Sequence, residues 1–123
     1  MRVKRLNRRE MFECRPIRHP SLDWEKNQRE EVIIEIPLKK NFWARLLTKF
    51  FFLPERKKIN LDRIGSEVWM LCDGKNTVRN IVKILRKRYN LSRKEAEVST
   101  LEYLRRLTQK GIIGLELKGD KNE

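Results

Sequence analysis

The apolar residues of this 123-residue chain are gathered into blocks, and the spacing inside each block predicts an element. Residues 31–37 form a nearly continuous β-branched run, with Val32, Ile33, Ile34 and Ile36. Such side chains fit a pleated surface, so the block predicts a strand at least partly covered on both faces and ended by Pro37. A short strand over Asp23–Lys26 precedes it across a polar turn, residues 27–30. Residues 56–61 set Ile59 and Leu61 against Lys58 and Asn60, the alternation of a third strand. Upstream, Pro16, His19-Pro20 and Trp24 punctuate an extended stretch, because a residue before proline avoids the helical region.

From residue 62 the period lengthens. Ile64, Val68, Trp69 and Cys72 share one face of a helix over residues 63–72, with Asp62 as its cap and Asp73-Gly74 as its stop. Thr77 caps a second helix, striped by Val78, Ile81, Val82, Leu85 and Tyr89. Ser92 opens a third with Glu95 three residues on, the spacing of a capping box, and Leu91 and Ala96 stand at the staple positions. Its stripe is expected to run through Val98, Leu101, Leu104 and Leu107 to a stop at Gly111. Residues 112–118 read as a last strand, and residues 119–123 as a polar tail.

Two segments stand outside this order. Residues 38–55 place Phe42, Leu46, Leu47, Phe50 and Phe51 near helical spacing, with Lys39, Lys40, Arg45 and Lys49 opposite. That predicts an amphipathic helical insertion closed by Pro54. It either packs on the domain or offers a face, residues 42–53, to a protein groove or a membrane surface. Residues 1–15 form a basic arm with Arg2, Lys4, Arg5, Arg8 and Arg9 and little to bury, either a solvated tail or a short helix that orders on a partner. The predicted fold is α+β: a small N-terminal antiparallel sheet followed by three helices, winged helix-turn-helix-like, in one domain over residues 16–118.

Charge narrows the partners. Lys and Arg number 30 against 17 Asp and Glu, a net charge of +13, and charged residues make up 38% of the chain. The excess favours an acidic partner: nucleic acid, a membrane surface, or an acidic peptide or protein. It is spread along the chain, net +8 up to Asn60 and +5 beyond, so it does not belong to a detachable tail. Abundant Lys, Arg and Glu also suit surface ion-pair networks.

Several chemistries are excluded. Two cysteines, Cys14 and Cys72, are too few for a disulfide framework, and with one histidine, His19, they offer no metal-ligand spacing. Cys72 falls on a helical apolar stripe and reads as a buried free thiol. Trp69 on the same stripe reads as core. No phosphate-cradling glycine loop, nucleophile elbow or histidine dyad is present, and no cofactor is implied. The chain therefore reads as a non-enzyme. No signal peptide or membrane span is visible, which points to a cytoplasmic protein.

The run Leu61-Asp62-Arg63-Ile64-Gly65-Ser66-Glu67-Val68-Trp69-Met70-Leu71-Cys72-Asp73-Gly74, then Thr77-Val78 and Ile81, resembles the PqqD family. The family pattern there is a Leu-Asn/Asp start, a small residue, an aliphatic-Trp pair, Asp-Gly, and Thr-Val with an Ile three on. Tyr103-Leu104, Leu107 and Gly111-Ile112-Ile113 match its end, and Pro16, Trp24-Glu25 and residues 32–37 fit its opening more loosely. The insertion at 38–55 and the basic arm depart from it.

The resemblance implies a small winged-helix domain without catalysis, a peptide chaperone or precursor-peptide recognition element. It implies binding of the leader part of a ribosomally made precursor peptide and its presentation to a modifying enzyme, often a radical-SAM protein. The peptide would add as a strand beside the third strand, in a groove against the third helix. On this chain the receiving residues would be Arg56, Lys57, Lys58, Ile59, Asn60 and Leu61, with Tyr103, Arg106, Thr108 and Gln109 from the helix. Lys57, Lys58, Arg105 and Arg106 would favour an acidic leader.

The main alternative is a winged-helix nucleic-acid-binding protein. The second and third helices carry Arg79, Lys83, Arg86, Lys87, Arg93 and Lys94, enough for phosphate contacts. Against it, Glu97 and Glu102 stand among the basic residues of the third helix, a poor fit to base readout.

Overall fold

The computed structural model of the chain describes residues 7–37 and 56–116. The amphipathic helix expected within residues 38–55 lies outside the described residues. The elements run α1 (Arg8–Glu13), β1 (Arg15–Arg18), β2 (Asp23–Lys26), β3 (Val32–Pro37), β4 (Arg56–Asn60), α2 (Arg63–Leu71), α3 (Val78–Tyr89), α4 (Arg93–Gln109) and β5 (Ile113–Glu116). The class is α+β, as the pattern predicts, and a small antiparallel sheet precedes the three longer helices. Two compact units make up the chain: Ser21–Arg63, and Met1–Pro20 together with Ile64–Glu123.

The Ser21–Arg63 unit is a three-stranded antiparallel sheet in the order β2-β3-β4. Its first turn is built by Asn27, whose side-chain oxygen accepts the backbone N–H groups of Arg29 at 2.8 Å and Glu31 at 3.0 Å. Glu30 takes the left-handed conformation that the turn requires, at φ 64°. Along β3, Val32 and Ile34 are fully buried while Ile33 and Glu35 are half-buried. One face is therefore core and the other partly covered, which explains why the run is apolar almost throughout.

The other unit is built on α2, α3 and α4. Val68, Trp69, Cys72, Val78, Ile81, Leu85 and Ala96 are fully buried, and Leu104, Leu107 and Ile112 nearly so. The helices begin where the sequence predicts. The Thr77 hydroxyl accepts the Asn80 N–H at 3.1 Å. Ser92 and Glu95 exchange side-chain-to-backbone bonds of 3.1 and 2.8 Å. Each such cap contributes about 1 kcal/mol. The stripe on α4 differs from the expected one: Ala96, Thr100, Leu104 and Leu107 are buried, and Val98 is 58% exposed. Steps of four and three residues hold one face of a helix, and Val98 falls off that face.

Ends of helices are closed by left-handed residues. Asn90 stands at φ 52°, and the Leu91 N–H reaches back to the Arg86 carbonyl at 3.0 Å. Gly111 stands at φ 73°, with Ile112 N–H on the Leu107 carbonyl at 3.2 Å. These are six-to-one closures of the Schellman kind. At the end of α2, the Arg18 guanidinium donates to the Trp69 and Met70 carbonyls at 3.0 and 2.9 Å. A cation there satisfies orphan carbonyls and faces the negative end of the helix.

The last strand expected over residues 112–118 is present as β5, and of the two readings of the basic arm the short helix is the one observed; two features of this unit go beyond the predicted order. The first is a separate two-stranded sheet of β1 and β5, paired Arg15↔Glu116 to Arg18↔Ile113. The far side of β1 meets the 72–74 turn: Arg18 N–H bonds the Cys72 carbonyl and Gly74 N–H bonds the Pro16 carbonyl. The second is the docking of α1, drawn from the basic arm, on α3. Asn7 and Glu10 form a capping box, and Phe12 is 6% exposed on the α1 side that packs on α3. Ion pairs Arg8–Glu97 (2.6 Å) and Arg79–Glu13 (3.2 Å) flank that contact.

Candidate functional site

β4 is bonded to β3 on one side, and among the described residues nothing is bonded to its other side. The ladder pairs Ile33↔Asn60, Ile34↔Ile59, Glu35↔Lys58 and Ile36↔Lys57, and the Leu61 N–H donates to the Val32 carbonyl at 2.9 Å. In an antiparallel pair, hydrogen-bonded positions alternate. Leu61, Ile59 and Lys57 therefore turn their backbone groups toward β3, while Asn60 and Lys58 turn theirs away. Among the described residues, the N–H and C=O of Lys58 and Asn60 face the outer edge with no strand bonded to them.

Side chains follow the same alternation. Lys58 and Asn60 are exposed on the face shared with Glu35. Half-buried Ile59 and Leu61 stand on the opposite face, in the row of buried Ile34 and Val32, with exposed Lys57 at its end. One face of the edge is thus cationic and polar, the other mainly aliphatic. Arg56 pairs with Pro37 at the start of the strand.

The helix residues expected at the site lie on α4, in the other unit. Tyr103 is half-buried, and Arg106, Thr108 and Gln109 are exposed. At about 100° per residue, Tyr103 and Thr108 flank the buried Leu104–Leu107 stripe on opposite sides. Arg106 lies on the Tyr103 side, and Gln109 points away from the stripe. The four do not form one face. Arg106 is also engaged: its Nε donates to Glu102 at 2.9 Å, while Arg105 donates to the same carboxylate at 2.6 Å. Those two guanidinium groups, Arg105 first, hold the Glu102 carboxyl down to about 2.

Of the basic residues on α3 and α4, the structure brings Arg79, Lys83, Arg86 and Arg93 together around one cleft, and Lys87 and Lys94 lie elsewhere. The partners of Arg79, Lys83, Arg86 and Arg93 in that cleft, Arg8, Arg9 and Phe12, were not foreseen. The Asn7…Glu10 spacing of a capping box was the available signal.

Both cysteines are buried and free. Cys14 Sγ donates to the Glu10 carbonyl at 3.2 Å. Burial pushes the Cys72 thiol up to about 12, with Arg18 opposing and Asp73 adding to the shift. Burial also raises the Asp73 carboxyl. The N–H groups of Asn76 and Lys75, at 2.9 and 2.8 Å, and the Asn76 amide outweigh it and hold Asp73 below the usual carboxylate range. Among the described residues no group of three His, Cys, Asp or Glu side chains could hold a metal, and no helix is long and apolar enough to cross a membrane.

Among the described residues, this small α+β protein has an open strand edge that carries basic side chains. The chain belongs to the PqqD family: the family model described as Coenzyme PQQ synthesis protein D (PqqD) matches residues 52–113, half of the chain. Members are non-catalytic accessory proteins that bind a precursor peptide and work with a modifying enzyme. The match starts inside the insertion and ends at the first residue of β5, so it takes in β4 and all three long helices. No match was found among curated proteins or among solved structures.

Proposed function

We propose that this chain binds the leader part of a ribosomally made precursor peptide by strand addition to β4 and presents it to a modifying enzyme, radical-SAM in type, without catalysing a step itself. The observation that carries this reading is the outward-facing backbone of Lys58 and Asn60 on an edge with no hydrogen-bonded neighbour among the described residues. An added strand continues both side-chain rows of the edge. Cross-strand pairing then favours carboxylates beside Lys58 and aliphatic side chains beside Ile59 and Leu61. The preferred leader segment alternates acidic and aliphatic residues. Tyr103, Arg106, Thr108 and Gln109 are proposed as additional contacts, Tyr103 with Arg106 as one set and Thr108 as another. We read the trihelical core as winged-helix-like and the protein as cytoplasmic.

The test is a titration of the isotopically labelled chain with peptides encoded by short reading frames beside its gene. An alternating Asp/Leu peptide serves as a reference. Amide signals of Lys58 and Asn60 are expected to move most, and those of Lys57 and Ile59 less. Saturable binding that leaves Lys58 and Asn60 unmoved removes strand addition to β4; no saturable shift with any peptide removes the peptide reading.

A further inference from the structure

The docked arm creates a second feature that leader binding does not use. Between α1, α3 and the start of α4 lies a cleft of about 580 Å³, lined by Arg8, Arg9, Arg79, Lys83, Arg86 and Arg93, with Phe12, Val82 and Glu97. Phe12 and Val82 are buried, at 6% and 7%, and form an apolar floor. Two guanidinium groups lie over the Phe12 ring, Arg8 at 4.9 Å and Arg79 at 5.7 Å from its centroid.

Six cations meet one lining carboxylate here. Glu97 holds Arg8 at 2.6 Å and Arg93 at 3.3 Å, and Glu13 holds Arg79 at 3.2 Å. Arg9, Lys83 and Arg86 have no carboxylate partner among the described residues. Lys83 and Arg86 stand on one face of α3 with Arg79, spread over about 10 Å of helix axis. Like charges so arranged repel one another, and a bound polyanion removes that cost.

We infer that this cleft is a binding site for an oligophosphate group, a chain of two or three phosphates. Three observations select that chemistry. Five of the six cations are arginines, whose planar forks take phosphate oxygens two at a time. The volume lies within the range of small-ligand sites and leaves room for a chain of two or three phosphates. Phe12 is buried and two guanidinium groups lie over its ring, so the aromatic offers a base no open stacking surface. Glu97 pairs with Arg8 and Arg93 in the lining and opposes an incoming anion. The same chemistry is carried by free oligophosphates, by nucleoside triphosphates and by nucleic-acid backbones.

The experiment is calorimetric titration of the full chain at fixed low ionic strength with sodium tripolyphosphate, a nucleoside triphosphate, a short single-stranded oligonucleotide, and a poly-Glu peptide of equal charge. Saturable tripolyphosphate binding is expected, weakened about ten-fold or more in a Lys83→Glu/Arg86→Glu variant. A Lys87→Glu/Lys94→Glu variant, with the same net charge and intact cleft, is expected to bind within about two-fold of the parent. Glu97→Gln is expected to bind more tightly. A nucleoside triphosphate equal to tripolyphosphate supports a small-molecule source, and a tighter oligonucleotide supports a backbone source. The proposal is overturned by absence of saturable tripolyphosphate binding, by equal loss in both charge-reversal variants, or by a poly-Glu peptide that binds as tightly. Unchanged circular dichroism and melting of each variant separate binding from folding.

Discussion

The Leu61 amide bonds the Val32 carbonyl at 2.9 Å, and this single bond sets the phase of the whole β4 edge. With Leu61 turned inward, Ile59 and Lys57 are inward too, and Asn60 and Lys58 present their amides outward. Proline can then separate binding from folding. It has no N–H, and a strand tolerates it only where that N–H faces away from the ladder. Lys58→Pro and Asn60→Pro are expected to abolish saturable peptide binding while changing stability by about 1 kcal/mol or less. Ile59→Pro removes a ladder bond and is expected to cost about 3 kcal/mol or more. Urea denaturation beside peptide titration checks both. Full binding by Lys58→Pro and Asn60→Pro would sink the strand-addition model.

The left-handed stops give a second expectation. Gly111 stands at φ 73° with open space where a Cβ would lie, so only the backbone resists substitution. Gly111→Ala is expected to lower stability by about 1–2 kcal/mol, the cost of a left-handed L-residue. Gly111→Asn is expected to cost less, because Asn90 already occupies the equivalent conformation after α3. At Gly74 the added Cβ would come within 3.1 Å of Ile17 Cδ1. Ile17 is 45% exposed and its tip can swing aside, so Gly74→Ala is expected to match Gly111→Ala rather than exceed it. Denaturant midpoints of the three variants give the comparison.

These stops, with the caps at Thr77 and Ser92, show why the helical half was legible. Each boundary is written in one or two residues with a local physical job, and β3 announces itself by its β-branched run and β4 by its alternation. What escaped was non-local. β1 is four residues holding one proline, and its partner β5 is about a hundred residues away, so no period marks the pair. Docking of α1 depends on Phe12 finding α3 and on the Arg8–Glu97 pair, and neither contact has a spacing to read. At the candidate site the alternation of Lys58 and Ile59 was legible. Which backbone groups face outward was not, because that rests on the ladder bond from Leu61. On α4, Val98 was misplaced because three- and four-residue steps both fit a short apolar pattern, and only packing chose Ala96 and Thr100.

Glu102 tests the charge network on α4. Hydrogen bonds from Arg105 and Arg106 hold its carboxyl at about 2, well below the ordinary value of 4.5. The folded group therefore stays ionised as pH falls, and any stability it contributes is full above about 4.5 and is lost progressively as pH falls from there to about 2. Carboxyl carbon shifts are expected to show Glu102 titrating far below the ordinary carboxylate value. Arg105→Gln is expected to raise the Glu102 midpoint toward the normal range. A midpoint near 4.5 in the parent would mean that the two arginines do not engage it in solution.

Cys72 offers the opposite sign. Its thiol is fully buried, and burial raises it from 9.0 to about 12. The unfolded chain releases this proton near the ordinary value, and the folded chain keeps it. The unfolded state therefore binds fewer protons between about 9 and 12, and stability falls across that window as pH rises. The contribution is full below 9 and lost as pH passes the folded value. The expected slope from this one group approaches about 1.4 kcal/mol per pH unit. Lysines and tyrosines titrate in the same range, so the measurement is a difference: Cys72→Ala is expected to show a shallower alkaline loss than the parent. Cys72→Ala also leaves a cavity, with a cost of about 1–2 kcal/mol that does not vary with pH. Thiol labelling of the folded chain at neutral pH is expected to be slow for the same reason, since the reactive thiolate is withheld. Parallel stability curves for the two proteins from pH 8 to 11 would show that the buried thiol is not coupled to folding.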